Sequence, residues 1–151
     1  MTLEDVKLLQ TEPKKFLSRS FEVEARIKFL KKRLATWEER AASLTVTLTD
    51  EPKGSGRGAE WSEFILAEII DIKADINKEL VALSEIEKQI ECAIKAFVSD
   101  RWARAVLERR YLLLESWSRI AKELGFSERW IYQLHGKALA EIRKQAIVVK
   151  P

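Results

Sequence analysis

A chain of 151 residues, 46% hydrophobic and 34% charged, has room for one domain or two small ones and the composition of a folded, charge-rich helical protein. Its single cysteine, Cys92, excludes an intramolecular disulfide. Residues 1–10 lack the basic and apolar segments of a secretory signal, and the richest apolar run, 64–70, contains Glu68 and falls far short of the ~20 residues of a membrane helix. A cytoplasmic protein with no membrane association is expected.

The net charge of +3 conceals an asymmetry. Residues 100–151 carry 11 of the 27 Lys and Arg but 6 of the 24 Asp and Glu, a balance of +5, which leaves 16 against 18, or −2, for residues 1–99. Positive charge concentrated at one end is the electrostatic footprint of a phosphate-binding module.

Thr2 and Asp5 stand at capping-box spacing, with Leu3, Val6 and Leu9 on one side, which predicts a short helix over 2–10. Thr11 and Pro13 then mark a fresh helix start, since proline loses nothing in a first turn. From there Phe16, Ser20, Val23, Ile27, Leu30, Leu34, Trp37, Ala41 and Leu44 recur at alternating fours and threes. This heptad seam belongs to helices that pack at shallow angles. The basic run between seam positions, Lys28 to Arg33, needs no function beyond being the solvated face of an amphipathic helix.

Residues 45–59 alternate β-branched and apolar side chains and then turn glycine-rich (DEPKGSGRGA), predicting a flexible connection. Its Gly-Ser-Gly-Arg-Gly lacks both the Gly-Lys-Ser/Thr ending and the preceding strand of a nucleotide-binding loop. A second helix is predicted over 60–98, with a seam of Ile65, Ile69, Ile72, Ile76, Leu83, Ile86, Ile90, Ala93 and Phe97 and with Glu79 at the one polar position. At ~1.5 Å per residue it approaches ~60 Å and needs a long partner, namely the first helix folded back as an antiparallel hairpin. Leu66, Ile70 and Leu80 widen its apolar stripe beyond the ~100° that one helix pair covers. A second copy packed alongside, as a homodimer, is expected to cover them; the segment 2–10 and the C-terminal domain are the alternative covers.

Ser99 is predicted to cap a supporting helix starting at Asp100, with Trp102, Ala105, Val106 and Leu107 on its apolar side. The leucine run 112–114 is read as core in preference to a contact patch. Residues 116–143, SWSRIAKELGFSERWIYQLHGKALAEIR, then read as a helix-turn-helix. Ala121 is the small residue two steeply crossed helices need, Gly125 suits a left-handed turn, and Ser127 caps the second helix. The expected architecture is therefore all-α, with a hairpin for oligomerisation over 1–98 and a three-helix DNA-binding domain over 99–151.

On a helical wheel Ile131, Leu134, Ala138 and Ile142 share the core face. Opposite lie Arg129, Gln133, Gly136 and Ala140, flanked by Tyr132, Lys137 and Arg143. Arginine pairs with guanine and glutamine with adenine, while Lys137 and Arg143 suit phosphates. Gly136 costs ~1 kcal/mol relative to alanine in mid-helix; it is either a weak spot or a place where the backbone approaches DNA. Glu128 suits the helix dipole and also stands where it can tune base choice. His135, the one histidine, borders the core face. No His, Cys or carboxylate cluster has metal-ligand spacing, and no Ser/His/Asp or Cys/His constellation is present. Neither an enzyme nor a cofactor nor a small-molecule substrate is expected.

Over residues 106–143, VLERRY followed by the motif above, the chain resembles the fourth region of bacterial sigma factors, which reads the −35 promoter element. The likeness is carried by Arg110-Tyr111, Ile120-Ala121, Gly125, Ile131, Gln133 and Lys137-Ala138-Leu139. Three outward positions that are arginine in primary sigma factors are here Glu128, Trp130 and Tyr132, so the scaffold carries over and the base specificity does not. The chain has no room for the promoter-melting region. As a whole it is similar to the ArpU and RinA type of phage and prophage late-gene regulators in its plan of helical half, glycine-rich interruption, second long helix and sigma-like head; WIYQLHGKAL is the most specific segment. That resemblance implies binding of double-stranded promoter DNA and contact with RNA polymerase. The rival readings are a small terminase subunit that marks viral DNA for packaging, and an interaction protein that touches RNA polymerase without binding DNA.

Overall fold

The computed structural model describes residues 1–50 and 57–147, and every regular element among them is helical: α1 (Leu3–Thr11), α2 (Pro13–Asp50), α3 (Arg57–Phe97), α4 (Arg101–Tyr111), α5 (Trp117–Leu124) and α6 (Glu128–Ala146). The protein is all-α. The connection expected over 45–59 is shorter than its composition suggested, because α2 runs through Asp50 and α3 starts at Arg57; the glycine-rich remainder, 51–56, lies outside the described residues. Local chemistry sets most of the other boundaries. Thr2 and Asp5 form a reciprocal capping box, Thr2 Oγ1 accepting from the Asp5 amide (3.2 Å) and Asp5 Oδ2 from the Thr2 amide (2.9 Å), and Pro13 is the first residue of α2. At α4 the cap is Asp100 and not Ser99. The Asp100 carboxylate accepts from the amides of Trp102 (2.8 Å) and Ala103 (3.2 Å), whereas Ser99 Oγ donates to Glu141 on α6 at 2.6 Å.

The chain forms two compact units. One takes in Met1–Glu22 and Leu83–Pro151, the other Val23–Ala82. The reason is a shared core. Leu9 of α1, Phe16 and Leu17 of α2, and Ile90 and Ile94 of α3 are buried in one cluster with Leu107 and Tyr111 of α4 and Ala138 and Ile142 of α6. Burying a side chain of this kind contributes about 1.5–3 kcal/mol, so the C-terminal helices draw much of their stability from residues far away in the chain. Ser20, the polar member of the α2 seam, is fully buried and satisfied, its hydroxyl donating to the carbonyl oxygen of Tyr111 at 2.8 Å. Arg19 pairs with Asp5 at 3.0 Å and donates to Gln89 Oε1 at 2.9 Å, which ties α1, α2 and α3 together.

In the second unit Leu30 of α2 is buried against Ile72 and Ile76 of α3, with Leu34 and Trp37 packed on them. Further along, the rings of Trp37 and Phe64 meet edge-on at 5.9 Å. Glu79, the polar seam position of α3, is explained by Arg26, whose Nε lies 2.9 Å from its carboxylate. Leu66 and Ile70 are each 57% exposed and Leu80 is 44% exposed.

Candidate nucleic-acid interface

The backbone between α5 and α6 follows from its residue types. Gly125 adopts φ 73°, ψ 28°, a left-handed conformation that a side chain disfavours, and the Phe126 amide returns to the Ala121 carbonyl at 3.0 Å, closing α5 in the six-to-one hydrogen bond of a Schellman turn. Ser116 starts α5 by accepting from the Arg119 amide (3.3 Å), and Ser127 starts α6 by accepting from the Trp130 amide (3.2 Å). Ile120 and Ala121 of α5, Ile131 and Leu134 of α6 and Val106 of α4 are buried together, with Trp117, Leu124 and Phe126 closing the cluster. The leucine run before α5 only partly joins the core: Leu112 and Leu114 are half-buried, and Leu113 is exposed. Leu114 turns the chain at φ 56°, a conformation that costs a non-glycine residue roughly 1 kcal/mol.

The buried side of α6 is fixed by an aromatic and polar cluster. His135 is only 8% exposed, and its Nε2 lies 2.6 Å from the Tyr111 hydroxyl. Burial, reinforced by the nearby charges of Lys14 and Arg110, pushes the imidazole down to about 4, so it is neutral at physiological pH. Burial likewise pushes the Tyr111 phenol up to about 12. The Arg110 guanidinium lies over the Phe21 ring (4.6 Å) and the Trp117 ring (4.5 Å) and donates to the Glu115 carbonyl at 2.9 Å. Arg110 and Tyr111, which carry part of the sigma resemblance, thus serve the scaffold.

Ser127, Glu128, Arg129, Tyr132, Gln133, Gly136, Lys137 and Arg143 are all exposed, on the side of α6 away from Ile131, Leu134, Ala138 and Ile142. They differ in how they are held. The side chains of Arg129 and Gln133 make no hydrogen bond or ion pair among the described residues. The Tyr132 ring leans edge-on against Trp117 at 5.3 Å. Lys137 Nζ is 3.2 Å from Asp100 Oδ2, so a charge assigned to phosphate already has a carboxylate neighbour. Asp100 is held below the usual carboxylate range chiefly by the Ala103 and Trp102 amides, with Lys137 adding to them. Arg143 donates to the Thr11 carbonyl at 3.0 Å, a neutral acceptor that leaves its charge uncompensated. Trp130, 45% exposed and next to Lys137 on the wheel, belongs to the same surface; the wheel signalled it, although the sequence reading did not include it among the contact residues.

Two features of this surface depend on tertiary packing. The Gln10 side chain donates to the Ala146 carbonyl at 2.9 Å, docking α1 on the end of α6. The α1–α2 corner then borders the outward face, where Glu12, Lys14, Gly136, Ala140 and Arg143 line a cleft of about 340 Å³. Among the described residues no three His, Cys, Asp or Glu side chains gather as a metal site, and no helix is long and apolar enough to cross a membrane. Comparison with protein-family models, curated proteins and solved structures finds no match to this chain.

Proposed function

We propose that this protein is a sequence-specific, double-stranded DNA-binding transcriptional regulator of phage or prophage late genes. In this reading α4, α5 and α6 form a sigma-like helix-turn-helix domain and α6 enters the major groove, with Arg129 and Gln133 reading base edges and Tyr132, Lys137 and Arg143 positioning the helix on the backbone. The observation that carries it is the outward face of α6, where Arg129 and Gln133 stand exposed and uncommitted on a helix whose other side is buried. A side chain that stabilises nothing in its own fold is free for a ligand, and these two types suit base edges.

In the same reading α2 and α3 form an antiparallel hairpin that pairs with a second copy. The support is the apolar stripe of Leu66, Ile70, Leu80 and Val81, which stays exposed although most of the α3 seam is buried. A stripe repeated on two identical chains is self-complementary about a two-fold axis, and two heads on one dimer match a palindromic site. Contact with RNA polymerase is part of the proposal, and Trp102, exposed and packed edge-on with Phe126 at 5.2 Å, is an aromatic patch suited to a protein partner. Selection of bound fragments from random duplex DNA tests the reading. Enrichment of a palindrome with fixed half-site spacing supports it, and a pool indistinguishable from the input refutes it.

A further inference from the structure

We infer that the α1–α2 corner belongs to the DNA-binding face, with Lys14 and Arg143 gripping one backbone phosphate across the cleft at Gly136. The inference rests on the groove-binding reading of α6 and adds a contact from the opposite end of the chain.

Position along α6 comes first. Gly136 lies seven residues beyond Arg129, about 10 Å along the helix axis, against a major groove about 12 Å wide. With Arg129 and Gln133 at base edges, Gly136 and Ala140 therefore fall beside the sugar-phosphate wall. That is where the fold brings in a cation from elsewhere. Lys14, exposed on the first turn of α2, lines the cleft with Gly136 and Arg143 of α6, and its charge reaches His135 of α6.

The charge balance favours an anion. Glu12 also borders the cleft, but its carboxylate is paired with Lys15 at 2.8 Å, and the Arg143 guanidinium spends one donor on the neutral Thr11 carbonyl. Two cations thus face the opening with their charge uncancelled. Gly136 contributes no side chain, and a Cβ built there meets nothing within 4 Å, so the space is open to a phosphate oxygen. Arg143 is also held in place by the corner it touches, which reduces the entropy lost when it engages a phosphate.

The test is anisotropy titration of a mixed-sequence duplex with the full chain at salt concentrations from about 50 to 200 mM. Each neutralised phosphate contributes about 0.9 to the slope of log affinity against log salt, so replacing Lys14 and Arg143 together by glutamine is expected to reduce the slope by that amount, Lys14→Gln alone to reduce it by part of that amount, and Lys14→Arg to retain it. Lys73→Gln, an exposed lysine of α3 in the other compact unit, is the control and is expected to leave the slope unchanged. An unaltered slope for Lys14→Gln, or an equal reduction for Lys73→Gln, overturns the inference while DNA binding itself stands. Failure of the wild-type chain to bind any duplex overturns both.

Discussion

Gly136→Ala separates two explanations of a glycine in the middle of a 19-residue helix. In an exposed helix interior, alanine is more favourable than glycine by about 1 kcal/mol. That full gain is available here, because the residue is helical and the added methyl meets nothing within 4 Å. Urea unfolding followed by circular dichroism should show a higher midpoint at unchanged m-value, and for a chain of this length a thermal midpoint raised by about 2–4 °C. DNA binding should move the other way. A methyl on the outward face narrows the space in which a phosphate would meet Lys14 and Arg143, and weakening one such contact by about 1 kcal/mol corresponds to roughly five-fold in affinity. A more stable variant that binds its selected site as well as wild type would show the glycine to be a tolerated weak spot. A less stable variant would refute the packing argument itself.

Three further outcomes follow from the site. Gln133→Ala should weaken binding to a selected site more than to mixed-sequence DNA, as competition titrations would reveal; equal loss of both would remove Gln133 from the base-reading set. Asp100→Asn keeps a capping side chain on α4 but removes the carboxylate beside Lys137, so stability should change by less than about 1 kcal/mol while affinity for mixed-sequence duplex rises; a fall in that affinity would contradict the competition assigned to this pair. His135 titrates at about 4 in the folded chain against 6.5 unfolded, so the unfolded state binds the proton first, and stability present above pH 6.5 should be lost at up to about 1.4 kcal/mol per unit as pH falls from 6.5 towards 4. Because it is the one histidine, its imidazole resonance reports the titration unambiguously, and a midpoint near 6.5 in the folded protein would contradict its burial.

What could be read from the sequence was what local chemistry decides. Gly125, Ser116, Ser127, Thr2 and Pro13 each act within four residues of themselves, and each stands where its capping or turn chemistry places it. The α2 seam was legible because its period is a property of the helix: Phe16, Ser20, Ile27 and Leu30 are all buried. Partners distant in the chain were not legible. Periodicity assigns Ser20 and Glu79 to a seam but cannot name the Tyr111 carbonyl or the Arg26 guanidinium that makes each tolerable there. Ser99 and Asp100 are both competent caps, and Glu141, 42 residues away, decides between them. The place of α1 was not legible for the same reason, since its apolar side has no partner until α6 is beside it.

The two cores that meet on α6 bear on the proposed reading of DNA. Its first half is anchored through Ile131 and Leu134 in the cluster with α4 and α5, and its second half through Ala138, Ile142 and Ala146 in the cluster with α1, α2 and α3. His135 sits between them and is bonded to Tyr111, itself a member of the second cluster. A helix clamped at both ends does not have to be ordered on binding, so the contacts proposed for Arg129 and Gln133 would not be spent on fixing their own backbone. Rigid mounting also makes discrimination steeper, because a helix that cannot shift leaves an unpaired donor at a wrong base and not a relaxed alternative pose. Cutting into either cluster should therefore reduce discrimination between sites before it abolishes non-specific binding, since phosphates tolerate a displaced lysine and base edges do not tolerate a displaced glutamine.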